Sequence, residues 1–163
     1  MTVFGEAVCV SNHAFLRGAS HPEELVAQAK ALGLSALALT EPDGLHGVVK
    51  AYLEAKTLGL DLVTGASLTV RGFGRVVLLC ETLEGYRGLC ELISVSRLEQ
   101  PKGEACLDWA RVAERPQGLF ALFPDGGPEE SLRPLVEAFP GRAFLGLCRT
   151  RAASDELTLQ RTL

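Results

Sequence analysis

Short apolar runs alternate along this chain with longer stretches whose apolar positions recur at helical spacing. Residues 3–10 carry β-branched side chains and predict a first strand. After a loop containing Gly18, the run Ser20-His21-Pro22-Glu23 predicts a helix start. Ser20 serves as the cap, Glu23 as its capping-box partner, and Pro22 falls in the first turn. Leu25, Val26, Ala29 and Leu32 share one face, and Gly33 stops the helix. Residues 35–40 (SALALT) read as a buried strand, broken by the loop Glu41-Pro42-Asp43-Gly44. A second helix follows over 47–58 and ends at Gly59. Residues 62–70 and 75–80 read as strands, with Gly72 and Gly74 marking the bend between them. A third helix over 83–98 carries Tyr86, Leu89, Cys90 and Ile93 on one stripe. A short helix (107–114), a strand (118–123), a helix (130–139), a strand (143–147) and a helical segment from Ser154 complete the pattern.

This alternation predicts an α/β fold, a single domain over 1–163 with mostly parallel strands joined by helical crossovers. No internal repeat or linker interrupts it. Ligand sites in such folds lie beyond the C-terminal ends of strands. Chemistry is therefore expected after Val10, after Thr40, near Ala66 and after Phe123.

Composition narrows the function classes. The 163 residues are 47% hydrophobic and 22% charged, the balance of an ordinary globular domain. The longest apolar stretches, 34–39 and 76–80, are too short to span a bilayer, and the N-terminus carries no signal-peptide pattern. A cytoplasmic location with no membrane partner is the expectation. Five scattered cysteines (Cys9, Cys80, Cys90, Cys106, Cys148) without a CxxC pair argue against a disulfide framework and a zinc site, and favour small core fillers. The net charge of −4, with Arg and Lys dispersed among acids, speaks against direct nucleic-acid binding. No phosphate-binding glycine loop occurs, and Ser11 and Ser67 have no visible base to activate them.

The segment FGEAVCVSNHAFLRGAS, continued by HPEELVAQAKALGLSALALTEPDGLHGVV, closely resembles the start of the PHP (polymerase and histidinol phosphatase) domain. That domain stands at the N-terminus of bacterial C-family DNA polymerases, and the resemblance is to the error-prone type of alpha subunit. The stretch LLCETLEGYRGLCELISVSRLEQPKGEACLDW is similar to the family's next segment, with its glycine-tyrosine and proline-lysine-glycine landmarks in order. The resemblance covers nearly the whole chain. It implies a partial, distorted β/α barrel.

The family's metal ligands do not carry over. Its histidine-x-histidine pair at the end of the first strand falls on Val8 and Val10, which have no donor atom. Its threonine-aspartate-histidine falls on Thr40-Glu41-Pro42, and its glycine-x-glutamate on Gly65-Ala66-Ser67. A further family histidine aligns with Arg75, and a cysteine-bearing loop with Phe123-Pro124-Asp125. Glu41 could still act as a ligand whereas Pro42 has no donor atom, and a hydrolytic cluster needs several ligands around one open coordination sphere. Val8 and Val10 are expected to leave the old pocket apolar. His13, Glu41 and Asp43 are the weak candidates if a site survives. Glu41 and Asp43 read more simply as a solvated turn, His21 as a first-turn residue, His46 as a loop or helix-start residue, and Asp125-Gly126-Gly127 as turn chemistry.

The resemblance thus implies a degenerate, non-catalytic structural or interaction module with no cofactor and no catalytic residue. The alternative is a metal-dependent phosphoesterase with a rebuilt site. The family's fold continues past the point where this sequence stops, so unpaired strand edges lead us to expect a homodimer or a polymerase-related protein partner. None of the polymerase palm, fingers or thumb is expected within these residues.

Overall fold

The sheet follows from six apolar runs, each long enough to cross it once. In the computed structural model, which describes residues 4–124 and 129–146, they pair in chain order. The strands are β1 (Gly5–Cys9), β2 (Ala36–Pro42), β3 (Asp61–Val70), β4 (Gly74–Cys80), β5 (Leu119–Phe123) and β6 (Ala143–Leu145). The pairs β1–β2, β2–β3 and β5–β6 are parallel, whereas β3–β4 and β4–β5 are antiparallel. Reading every strand–helix alternation as a parallel crossover therefore misses the centre of the sheet. There Gly72 and Gly74, both at positive φ, turn β3 straight back into β4 as a hairpin. The sheet is open, an α/β partial barrel with β1 and β6 as its outer strands among the described residues.

Helices cover the sheet where their apolar faces demand it. α1 (Pro22–Ala31) and α2 (Val48–Leu58) pack together over β2, burying Val26, Ala29, Leu37, Leu39, Ala51 and Ala55. The first turn of α1 differs from expectation by one residue. His21 is the cap, and its N–H donates to Glu24 Oε2 at 2.8 Å, so the box is His21–Glu24 rather than Ser20–Glu23. Leu32 follows the last turn and is exposed, so it does not extend the buried face.

α3 (Leu83–Leu98), α4 (Trp109–Ala113) and α5 (Glu129–Ala138) enclose a second cluster with β3, β4 and β5, centred on Leu68, Leu78, Leu89, Leu119, Phe123 and Phe139. The buried face of α3 is Gly85, Leu89, Leu92 and Ser96 rather than the stripe from Tyr86 to Ile93. The reason is a close approach at Gly85, where any Cβ would collide with the Gly118 carbonyl oxygen. That contact rotates the helix so that Gly85 faces the start of β5. Thr82 caps the same turn, its Oγ1 accepting from Gly85 N–H at 3.2 Å. α4 is shorter than its sequence pattern; Leu107 instead bridges to Val70, and Trp109 stacks on Phe73 with ring centroids 4.4 Å apart. The cysteines within the described residues are free and half-buried. Cys148, Asp125, Leu147 and the helical segment expected from Ser154 lie outside the described residues.

Candidate functional site

β2 does not stop at Thr40. It continues through Glu41 and Pro42, because β3 extends alongside to pair with them and proline is tolerated at a strand's last position. This extension carries the Glu41 side chain inward rather than into a turn. Glu41 is 1% exposed, and its Oε1 accepts from Ser11 N–H at 3.1 Å and from the Ser11 hydroxyl. Ser11 is itself fully buried in the loop after β1. Glu41 Oε2 has no hydrogen-bond partner among the described residues. Room for the carboxylate comes from Gly47, where a Cβ would lie 2.8 Å from Pro22 Cγ and 3.2 Å from Glu41 Oε1. Burial, helped by Glu6 and Glu41, pushes the nearby Cys9 thiol pKa up.

Asp43 is equally far from a solvated turn, at 9% exposed. It adopts φ +48°, a left-handed conformation that aspartate tolerates better than most residues. Every polar group it has is engaged. Its N–H donates to Ser67 O at 3.0 Å, and its carbonyl accepts from Arg97 Nη2 at 2.6 Å and Nε at 3.2 Å. Its Oδ1 accepts from Thr69 N–H at 2.7 Å and its Oδ2 from Thr69 Oγ1 at 3.0 Å. Arg75 Nη2 approaches Oδ2 at 3.5 Å. Arg75 Nη1 also donates to Ser67 O at 3.0 Å, so Ser67 lies beside a guanidinium and not beside a base.

The three weak candidates are therefore near one another without converging. His13 is exposed in the loop after β1, Glu41 is turned to Ser11, and Asp43 is turned to Thr69 and Arg75. No group of three or more His, Cys, Asp or Glu side chains placed to hold a metal ion occurs among the described residues. Of the two valines, Val8 is 40% exposed on the outer strand β1.

Above these residues lies a pocket of about 250 Å³ at the end of the sheet that the strand-end rule singles out. It is not apolar as the valines led us to expect. Neither valine lines it, and its wall includes Arg17, Arg75, Arg97, His13, His46 and Pro42. His46 precedes α2 and is exposed; His21 sits away from the pocket as the α1 cap, bonded to Asn12. Sequence reasoning missed Ser11 and Thr69 as partners of the carboxylates, and Arg17 and Arg97 as pocket residues. The available signal was Arg75, which the resemblance had already singled out as a position of interest.

The PHP domain family model matches residues 9–138. An error-prone DNA polymerase of Anaeromyxobacter sp. (strain K) is 41% identical over 167 aligned residues, covering 94% of this chain and 15% of the polymerase. The error-prone DNA polymerase of Pseudomonas fluorescens is 40% identical, covering all of this chain and 16% of its own length. The chain thus spans about a sixth of these relatives. A solved structure from Bifidobacterium adolescentis described as a metal-dependent phosphoesterase aligns with TM-score 0.47 and 21% identity, over 60% of this chain and 34% of its own.

Proposed function

From the premise that this chain belongs to the PHP domain family, we propose that it is a non-catalytic member, a structural or interaction module related to the N-terminal domain of error-prone DNA polymerases. The observation that carries this reading is the state of its two surviving carboxylates. A divalent cation needs oxygen or nitrogen donors held open to it. Glu41 Oε1 is occupied by Ser11 and both Asp43 oxygens by Thr69, which leaves only the buried Glu41 Oε2 without a partner among the oxygens of these two carboxylates. Guanidinium groups stand over the same pocket, where their charge opposes a metal ion.

Under this reading the surface does the work, in the cytoplasm, through a second copy of the chain or a polymerase-related protein. The outer strand β1, exposed along most of its length, is one edge available for pairing. The test is the metal content of protein purified without chelators. Zinc, manganese and iron together should fall below about a tenth of an equivalent per chain, because structural and catalytic sites hold metal far more tightly than purification removes it. One equivalent or more overturns the proposal in favour of a phosphoesterase site rebuilt around His13, Glu41 and Asp43. A clean monomer by sedimentation at micromolar concentration removes the homodimer.

A further inference from the structure

The same pocket has a composition suited to the opposite charge. Arg17, Arg75 and Arg97 reach it from three separate segments: the loop after β1, the start of β4 and the last turn of α3. Their positive charge is only partly balanced. Among the described residues the Arg97 side chain donates only to a neutral acceptor, the Asp43 carbonyl, and the exposed Arg17 guanidinium makes no hydrogen bond or ion pair. Arg75 shares Asp43 at 3.5 Å. The remaining nearby acid, Glu41, is buried beneath and turned to Ser11. Even with both acids ionised the pocket keeps a positive excess, in a chain whose net charge is −4.

Two of the guanidiniums are also held in place, and so is the backbone loop that carries the third. Ser67 O, Ser67 Oγ and Asp43 fix the Arg75 guanidinium, and two bonds from one guanidinium to a single carbonyl fix Arg97. The loop bearing Arg17 closes on itself through Ala14 N–H to Ser11 O at 3.0 Å, Gly18 N–H to Ala14 O at 3.0 Å and Asn12 N–H to Ser20 O at 2.8 Å. A Cβ at Gly18 would lie 2.9 Å from the Val10 carbonyl oxygen, so only glycine permits that closure. His13 and His46 add ring nitrogens able to donate. A tetrahedral oxyanion matches such a set, since guanidinium forks present paired N–H donors to paired oxygens. The volume of about 250 Å³ admits a phosphate group.

We infer that this pocket binds the phosphate group of a small ligand, free phosphate or a phosphate monoester, through Arg17, Arg75 and Arg97 and without a metal ion. The inference rests on the metal-free reading above, because a bound divalent cation would compete with the guanidiniums for the pocket.

Inorganic phosphate and a nucleoside 5′-monophosphate should be titrated separately into the purified chain by calorimetry, at constant ionic strength with chloride. Metal should be measured in the same sample. Phosphate is expected to bind with Kd on the order of 1 mM. Arg17→Gln, which touches no other residue's bonds, should weaken binding about fivefold. Arg87→Gln, on the exposed side of α3, should leave it unchanged. Tighter binding of the monophosphate identifies an ester as the ligand, and equal or weaker binding identifies free phosphate. No heat from either ligand in a metal-free sample overturns the inference and leaves the non-catalytic reading standing. Equal losses in both arginine variants also overturn it, since they would reflect general charge. Phosphate binding that a chelator abolishes from a metal-containing sample overturns both readings together.

Discussion

Replacing Ser11 by alanine should expose how much the fold depends on one buried contact. Ser11 supplies both donors that the structure gives Glu41, its N–H at 3.1 Å and its hydroxyl. Ser11→Ala removes the hydroxyl and leaves a carboxylate that is 1% exposed with one backbone donor and an unpartnered Oε2. A hydrogen bond to a charged group contributes about 1.5–3 kcal/mol, and a buried acceptor left unmade costs a similar amount, so the variant should lose about 2 kcal/mol. The hydroxyl also accepts from His13 N–H at 3.2 Å, a smaller loss at an exposed residue. With a urea slope of about 2 kcal/mol per molar, the unfolding midpoint should fall by about 1 M at unchanged slope. The cycle closes with Glu41→Leu, in which no buried carboxylate remains. There Ser11→Ala should cost less than about 0.5 kcal/mol, the difference being the coupling between the two residues. A midpoint that moves by less than about 0.2 M, or an equal loss in both backgrounds, refutes the argument that Ser11 keeps this carboxylate buried.

Two further outcomes follow from contacts elsewhere in the fold. Gly85→Ala drives a methyl into the Gly118 carbonyl and should destabilise the domain by about 1–3 kcal/mol, lowering Tm by about 5 °C, whereas Gly88→Ala, whose nearest neighbour would be Arg115 Cβ at 3.9 Å, should not. Burial, with a contribution from Cys90, pushes the Cys80 thiol up to about 12. Iodoacetamide at pH 8 should therefore modify it far more slowly in the folded than in the urea-unfolded chain, as mass mapping of the alkylated peptides will read. Because the folded value is raised, the unfolded chain releases this proton first. Cys80 should accordingly contribute a fall in stability as pH rises from about 9 towards 12, absent in Cys80→Ala.

Helices and strands were largely legible because their signals are local. Gly33, Gly59 and Gly118 mark element ends at positive φ, and the apolar runs over β2 to β5 fall where the strands are. What local signals do not carry is which strand lies beside which. The β3–β4 hairpin was visible as two runs and two glycines, yet the sense of pairing across β4–β5 depends on packing between α3 and the sheet. The rotation of α3 has the same origin, since Gly85 and Gly118 meet only once β5 is in place.

At the site, that Val8, Val10 and Pro42 offer no side-chain donor is readable residue by residue, because a ligand's chemistry resides in its side chain. The arrangement of the polar residues around them is not. Glu41 and Ser11 lie 30 positions apart, and Asp43 and Arg97 lie 54 apart. Composition averages a positive pocket away when its arginines come from three distant segments of an acidic chain.

The order of the sheet has a kinetic consequence. Strands β1 to β6 lie side by side in the sequence in which they occur, so no strand must be inserted between two that have already paired. Each new pairing closes at most one helix-bearing connection, and the β3–β4 turn closes a few residues only. Loop-closure entropy is then lost in small, separate steps, and contact order stays low for a domain built around a sheet. Such a chain can assemble like a zipper outward from the β3–β4 hairpin, reaching the strands that frame the arginine pocket before the edge strand β1 has docked.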